Sequence, residues 1–397
     1  MASLAADPGM PVDDYLPPCP STMTREVKDI HTFPLGKGLA VLRPGDGRLN
    51  ILNPLARWIW EHSALGMHRS ELESLLTLQA GHDPQAVEDL FSQWAAAGLD
   101  PEATVVASQD QPDYATFWLG GRRIRVAADS RELLQAVQPC LGHLVDTGPP
   151  GPVAGTIALC HEGDGYAIIK NGTTIRHPAS LNDLTVEALW EIVEIGCAVP
   201  GRLMTVHGAA VAGGGACCLL AGRGGSGKTT LAAGLAAIGF TLIADDVIPV
   251  NSGSGLLSPM PMAMCIKAGS WPALDAFYPA AHNLLSYQRF GKEVRFYPPP
   301  PTAIAEPFSM IRANAVVFPH YVRNSQPQLT EVPSHEVLAE LVRSNSIIDT
   351  WSPKKLAEVA AWVDSLQGYK IVYPDMQTGL DLVRRIFRDH LKFSLPL

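Results

Sequence analysis

The sequence predicts an α/β protein in two parts, a P-loop domain preceded by a small winged-helix-like domain built from one β-hairpin and three helices. Three observations carry this. Gly222-Arg223-Gly224-Gly225-Ser226-Gly227-Lys228-Thr229 satisfies G-x-x-x-x-G-K-[ST] without adjustment. An apolar run, Ala216 to Ala221, leads into that loop, and a small-residue helical stretch, Thr230 to Ile238, leaves it. Far upstream, two short apolar runs around a Gly45-Asp46-Gly47 turn are followed by three helical patterns.

At 397 residues, with 47% hydrophobic and 17% charged content, the chain can bury sizeable cores. Its formal net charge of -9 argues against a general nucleic-acid or anionic-membrane surface. None of the cysteines (Cys19, Cys140, Cys160, Cys197, Cys217, Cys218, Cys265) forms a C-x-x-C pair, so a reducing, cytoplasmic setting is expected. Residues 203 to 222 are almost uncharged, but they carry His207 and a run of glycines and lead straight into the phosphate loop, so no membrane span is expected. Asp7, Asp13 and Asp14, with no basic segment leading into an apolar one, do not read as a signal peptide.

Residues 1–27, rich in Pro, Asp and small side chains, read as a flexible lead-in. Leu39, Val41 and Leu42, then Leu49, Ile51 and Leu52, form the hairpin, and Asn53-Pro54 opens a helix carrying Leu55, Trp58, Ile59 and Trp60. A second helical pattern runs from Arg69 to Gln79. A third starts after Asp83-Pro84, passes Val87, Leu90, Phe91 and Trp94, and stops at Gly98. By physics alone such a unit can bind DNA, a peptide, or only its neighbour; its helices carry few Lys or Arg residues for phosphates, so nucleic acid is not expected.

A linker around Pro101 to Pro112 leads to the expected catalytic domain, residues 103–397, whose first portion (103–200) is β-rich and whose P-loop core spans 201–397. Strands are expected at Ala115–Leu119, Ile124–Ala128, Thr156–Cys160 and Tyr166–Lys170, with a helix at Ser130–Val137.

The P-loop is the chemical centre of the sequence. In this motif the backbone N–H groups of the glycine-rich turn face phosphates, Lys228 reaches the β and γ phosphates of ATP, and the Thr229 hydroxyl can hold Mg²⁺. Gly222 to Thr229, with Thr230 directly after, are the candidate nucleotide-binding residues. Thr241-Leu242-Ile243-Ala244 then reads as a strand that delivers Asp245-Asp246 at its C-terminal end, facing the nucleotide crevice. Adjacent carboxylates can divide the work, one holding Mg²⁺ and one accepting a proton from an attacking hydroxyl. His207 lies on what should be the strand paired with the P-loop strand; alone among apolar residues, a histidine is more often a satisfied core residue than a functional one.

Two resemblances sharpen this reading. Pro34-Leu35-Gly36, Asn53-Pro54-Leu55-Ala56-Arg57-Trp58-Ile59-Trp60 and Ala97-Gly98-Leu99, within residues 28–102, resemble the PqqD-like family, the RiPP recognition element. The resemblance implies that a leader peptide is captured as an added strand on the exposed hairpin edge, beside Leu49, Ile51 and Leu52, against the third helix around Val87, Leu90, Phe91 and Trp94. Thr205-Val206-His207-Gly208, Leu219 to Thr229, and Leu242-Ile243-Ala244-Asp245-Asp246 resemble the HPr kinase/phosphorylase family and, more distantly, ATP-dependent phosphoenolpyruvate carboxykinase. That likeness implies that His207 lies by the reactive phosphate, that Asp245 is the base, that Asp246 helps bind metal, and that the chain assembles as a homo-oligomer, a hexamer in the family. The family's second Gly-Arg-Asn loop is reduced here to Arg312 within Met310 to Val317, which counts against reverse activity and against HPr as substrate. Lys267, Lys292 and Arg295 are further candidates to steady the transferred phosphoryl group.

The expectation is an ATP- and Mg²⁺-dependent kinase that phosphorylates a Ser or Thr hydroxyl of a ribosomally made precursor peptide, in the manner of lasso-peptide tailoring kinases. The alternatives are a nucleotide-binding regulatory or partner-binding protein, an HPr-like protein serine kinase, and a small-molecule kinase.

Overall fold

The structure is a computed structural model that describes residues 2–4, 31–35, 38–43, 48–64, 69–74, 76–77, 83–96, 113–148, 153–199, 201–348 and 351–392. Most of the expected lead-in, the Gly45-Asp46-Gly47 turn, the stop at Gly98 and the linker 101–112 lie outside the described residues. The chain divides into two compact units: Met1–Thr116 with Arg123–Leu134 and Asp146–Ala188, and Phe117–Arg122 with Gln135–Val145 and Leu189–Leu397. This division cuts across the expected segment 103–200, much of which groups with the N-terminal stretch rather than with the P-loop core.

The first unit opens with a sheet of β1 (Ala2–Leu4), β2 (His31–Leu35), β3 (Gly38–Arg43) and β4 (Arg48–Leu52), in the order β1-β4-β3-β2. β2, β3 and β4 pair antiparallel, as the hairpin signal requires. β1 lies parallel to β4, with Ala2, Ser3 and Leu4 opposite Asn50, Ile51 and Leu52. The edge expected to receive a foreign strand therefore carries the chain's own N-terminus.

Helix α1 (Pro54–Ala64) starts where the Asn-Pro pair places it: the Ala56 N–H donates to Asn53 Oδ1 at 2.8 Å. α2 (Arg69–Ser74) and α3 (Pro84–Ala96) follow, the latter with the Gln85 N–H on Asp83 Oδ1 at 3.4 Å. The apolar faces of α1, α2 and α3 close on β3 and β4 in one core that includes Val41, Leu52, Ile59, Trp60, Leu72, Val87, Leu90 and Phe91.

Next come β5 (Asp113–Leu119), β6 (Arg122–Ala128), α4 (Arg131–Leu141), β7 (Gly155–Glu162), β8 (Gly165–Lys170), β9 (Thr173–Arg176) and α5 (Leu181–Cys197). The strands form one sheet in the order β5-β6-β7-β8-β9. β5 to β8 and α4 fall where the alternating pattern put them.

In the second unit the chain runs through β10 (Arg202–Gly213), β11 (Ala216–Ala221), α6 (Lys228–Ala237), β12 (Thr241–Asn251), β13 (Leu256–Leu257), β14 (Met264–Lys267), α7 (Trp271–Leu274), β15 (Ser286–Arg289) and β16 (Lys292–Tyr297). It ends with β17 (Ile311–Arg312), β18 (Ala315–Tyr321), β19 (Gln328–Val332), α8 (Ser334–Arg343), α9 (Pro353–Asp364), β20 (Gln367–Tyr373) and α10 (Met376–Arg385). An eight-stranded mixed sheet, ordered β17-β13-β12-β10-β11-β18-β20-β19, forms its backbone. β11 is fully buried, as a six-residue apolar run without alternation demands. α6 and α10 pack on this sheet, and Leu231, Leu235, Phe240, Tyr369, Ile371, Val383 and Phe387 fill the core between them. β14, β16 and β15 form a separate three-stranded antiparallel sheet.

One expectation changes here. The strand with Asp245-Asp246 does not end at the pair; β12 continues to Asn251, paired antiparallel with β10 along its length. The carboxylates sit in mid-strand, Asp245 opposite Ala209 and Asp246 opposite Gly208.

Candidate functional site

The site assembles around the turn from β11 into α6. Gly227 has φ 100 at the helix N-terminus, a conformation an L side chain resists, and a Cβ there would stand 2.3 Å from the Tyr373 hydroxyl oxygen. No side chain caps this helix, so its first N–H groups remain available to a ligand. Lys228 folds back over the loop, its ammonium donating to the carbonyls of Gly222 at 2.6 Å and Arg223 at 3.1 Å. Burial pulls this ammonium below its ordinary pKa, while Asp245 and Asp246 pull the other way. Within the loop, Arg223, Gly224 and Gly225 are exposed, and the Ser226 hydroxyl is buried without a partner. The Thr230 hydroxyl turns to Ser270 Oγ at 3.0 Å, so it is engaged away from the loop.

Asp245 is 9% exposed and its Oδ1 has no hydrogen-bond partner. Burial first, and then the charge of Asp246, push its carboxyl up to about 7, against bonds from the Thr229 hydroxyl and the Cys265 N–H and the charge of Lys228. A carboxylate tuned to neutrality with one free oxygen is suited to take a proton at neutral pH.

Asp246 has φ 75, in the left-handed region that costs a non-glycine residue of order 1–3 kcal/mol. Two side chains hold it there. His207 Nδ1 lies 3.0 Å from the Asp246 carbonyl oxygen and 3.4 Å from its Oδ1. Because a carbonyl only accepts, the Nδ1 nitrogen carries the hydrogen and Nε2 is the acceptor while the ring is neutral. The second is Arg289, whose Nη2 donates to Asp246 Oδ2 at 3.0 Å. Despite burial, Asp246 and the bonded Cys265 thiol hold the Arg289 guanidinium above its ordinary pKa. On its other side the His207 N–H donates to Ser346 Oγ at 3.3 Å, closing the free edge of β10 beyond the end of β11.

Arg289 is a residue that sequence reasoning missed. Only the cationic character of its hairpin was visible: Lys292 stands opposite it in β16. Of the phosphate-steadying candidates, Lys267 is exposed at the end of β14, close enough for its charge to act on Lys228. Arg295 is engaged with other groups. Its guanidinium stacks on Trp271 at 3.9 Å and bonds to the Ala281 carbonyl and Ser286 Oγ. Arg312 is exposed in β17 at the outer edge of the sheet, opposite Leu256 and two strands from β12.

The groups present fit a nucleoside triphosphate with Mg²⁺. The Thr229 hydroxyl is near enough to Asp245 to act on its carboxyl, and the P-loop threonine with the adjacent Asp246 are the groups that could hold the ion. In the absence of an ion, Asp246 is engaged with Arg289 and His207.

In the N-terminal module Leu52, Val87, Leu90 and Phe91 are buried in the module's own core, so their side chains are not available to a peptide; Ile51 is 41% exposed. Leu49 and Trp94 are described only as backbone, in β4 and α3.

No protein-family model and no curated protein matches the chain. Among solved structures it aligns with the HPr(Ser) kinase/phosphatase from Coxiella burnetii at 13% identity and a TM-score of 0.24, over 47% of this chain and 97% of that one. The site reading therefore rests on the chain's own geometry. Among the described residues, no helix is long and apolar enough to cross a membrane.

Proposed function

We propose that this chain is an ATP-dependent phosphotransferase acting on a hydroxyl. The observation that carries it is the meeting of a P-loop with a buried carboxylate, Asp245, whose Oδ1 is without a partner and whose carboxyl is pushed up to about 7 by burial. Lys228 and the α6 N-terminus receive the phosphate chain, and Thr229 with Asp246 would hold a Mg²⁺ ion, which would offset the charge of the β and γ phosphates. The acceptor hydroxyl attacks the γ phosphorus as its proton passes to Asp245 Oδ1. The new O–P bond forms, the bond to the β-phosphate oxygen breaks, and ADP leaves. Arg289 and His207 fix Asp246 beside the reacting centre so that its strained backbone does not relax.

The acceptor, in this reading, is a Ser or Thr of a precursor peptide whose leader is bound by the N-terminal module. Support comes from β4, an edge that takes a strand: Ala2–Leu4 pair with it in register. Because most of the predicted groove side chains are core, recognition there rests on backbone bonds and on Ile51. A tethered leader raises the local concentration of the acceptor, so the catalytic cleft needs little affinity for the core sequence.

Incubation with γ-labelled ATP and candidate leader-bearing peptides, read by mass spectrometry, tests this. A phosphoryl group gained by the peptide supports it. Free phosphate released at one rate with or without peptide assigns the site to nucleotide hydrolysis instead.

A further inference from the structure

If the P-loop takes a nucleoside triphosphate, the layout of the sheet fixes which way the nucleotide runs. Asp245, Asp246 and His207, with Arg289 bound to Asp246, lie on the β10 and β12 side of the P-loop strand, and that side holds the γ-phosphate end. The opposite neighbour of β11 is β18, running parallel to it, so base and ribose extend across the carboxyl ends of β18 and β20.

Tyr321 ends β18 at that place. Its N–H donates to the Ser226 carbonyl of the P-loop at 3.3 Å, and its Cβ lies 3.7 Å from the position a Cβ on Gly227 would occupy. Its side chain is 49% exposed, one of the large apolar side chains the fold leaves uncovered. Behind it stands Tyr373, opposite it in β20 and buried, with ring centroids 5.9 Å apart and planes tilted by 59°. The turn that follows is held by the Val322 N–H on the Tyr373 carbonyl and the Ser325 N–H on the Val322 carbonyl, with Asn324 at φ 64. It carries the Ser325 hydroxyl, which is buried and has no partner.

We propose that Tyr321 is the stacking platform for the base of the bound nucleotide. An aromatic ring fixed to the phosphate loop through its own backbone, supported on one side and open on the other, has the form of such a platform, and its spacing from the phosphates is set by the Ser226 bond.

This inference rests on the nucleotide reading, and comparing ATP with Mg²⁺-tripolyphosphate separates the two. Dissociation constants of both ligands are measured by calorimetry on the full chain, its Tyr321→Ala and its Tyr321→Phe. Tyr321→Ala should weaken ATP by about 5- to 100-fold and leave tripolyphosphate unchanged, while Tyr321→Phe keeps both. ATP binding unaffected by Tyr321→Ala overturns the platform. Equal losses for both ligands overturn it too, because Tyr321 would then only support the loop. A wild-type chain that binds neither ligand overturns the nucleotide reading, and the platform with it.

Discussion

Asp245 and Asp246 are neighbours in sequence with opposite surroundings. Asp245 is buried with one oxygen orphaned, whereas Asp246 is 38% exposed and paired with Arg289. The pair itself was legible from sequence; the difference was not, because it is made by burial together with Cys265 and Arg289, which lie further along the chain. The folded carboxyl of Asp245 titrates at about 7, above the ordinary aspartate value. The sign follows: an acid raised in the fold favours the native state below its unfolded pKa, and that contribution is lost as pH rises through the folded one. Asp245→Asn should therefore stabilise the ligand-free chain more at pH 8 than at pH 5, by at most about 4 kcal/mol. Urea unfolding at the two pH values measures it, and a pH-independent difference contradicts the burial argument. The same variant should lose roughly 10² to 10⁴ in turnover with ATP affinity largely kept. Mg²⁺ titrations separate the carboxylates further. Asp246→Asn and Thr229→Ala should raise the Mg²⁺ requirement more than Asp245→Asn does, and the reverse order would place the metal on Asp245 instead.

At the scale of elements, the P-loop was readable because its glycines have backbone reasons. Gly227→Ala meets both φ 100 and the Tyr373 hydroxyl. It should cost at least about 1–3 kcal/mol in stability, and adding Tyr373→Phe should recover only part, because the backbone strain remains. Full recovery would mean that the hydroxyl alone dictates glycine there. The sequence pattern ends strand β12 at the Asp pair. Antiparallel pairing with β10 carries it through, with Asp246 strained in the middle. The β4 edge shows the same limit: nothing in Ala2-Ser3-Leu4 marks them as a strand, and only tertiary pairing makes them one. If β1 occupies the leader's place, removing residues 1–10 should raise the affinity for a strand-forming leader peptide, measured by fluorescence anisotropy. Unchanged affinity would place the peptide elsewhere.

For the whole molecule, the P-loop between an apolar run and a small-residue helix made the α/β class legible, and the two compact units were not. Their boundary did not follow from the sequence, because the β-rich stretch has no chemistry and its strands group by pairing rather than by position along the chain. If the leader binds at β4 and phosphoryl transfer occurs at the P-loop, leader and acceptor should make separate contributions to turnover. The most direct measurement is kcat/KM for ATP-dependent phosphorylation of a full-length precursor and of its leaderless core, with and without free leader peptide, on the intact chain. The account predicts that the full-length precursor is preferred through KM, that free leader inhibits it competitively, and that the leaderless core is a poor substrate which free leader does not inhibit. Equal kcat/KM for both peptides with no effect of leader, or no transfer to either, would contradict it.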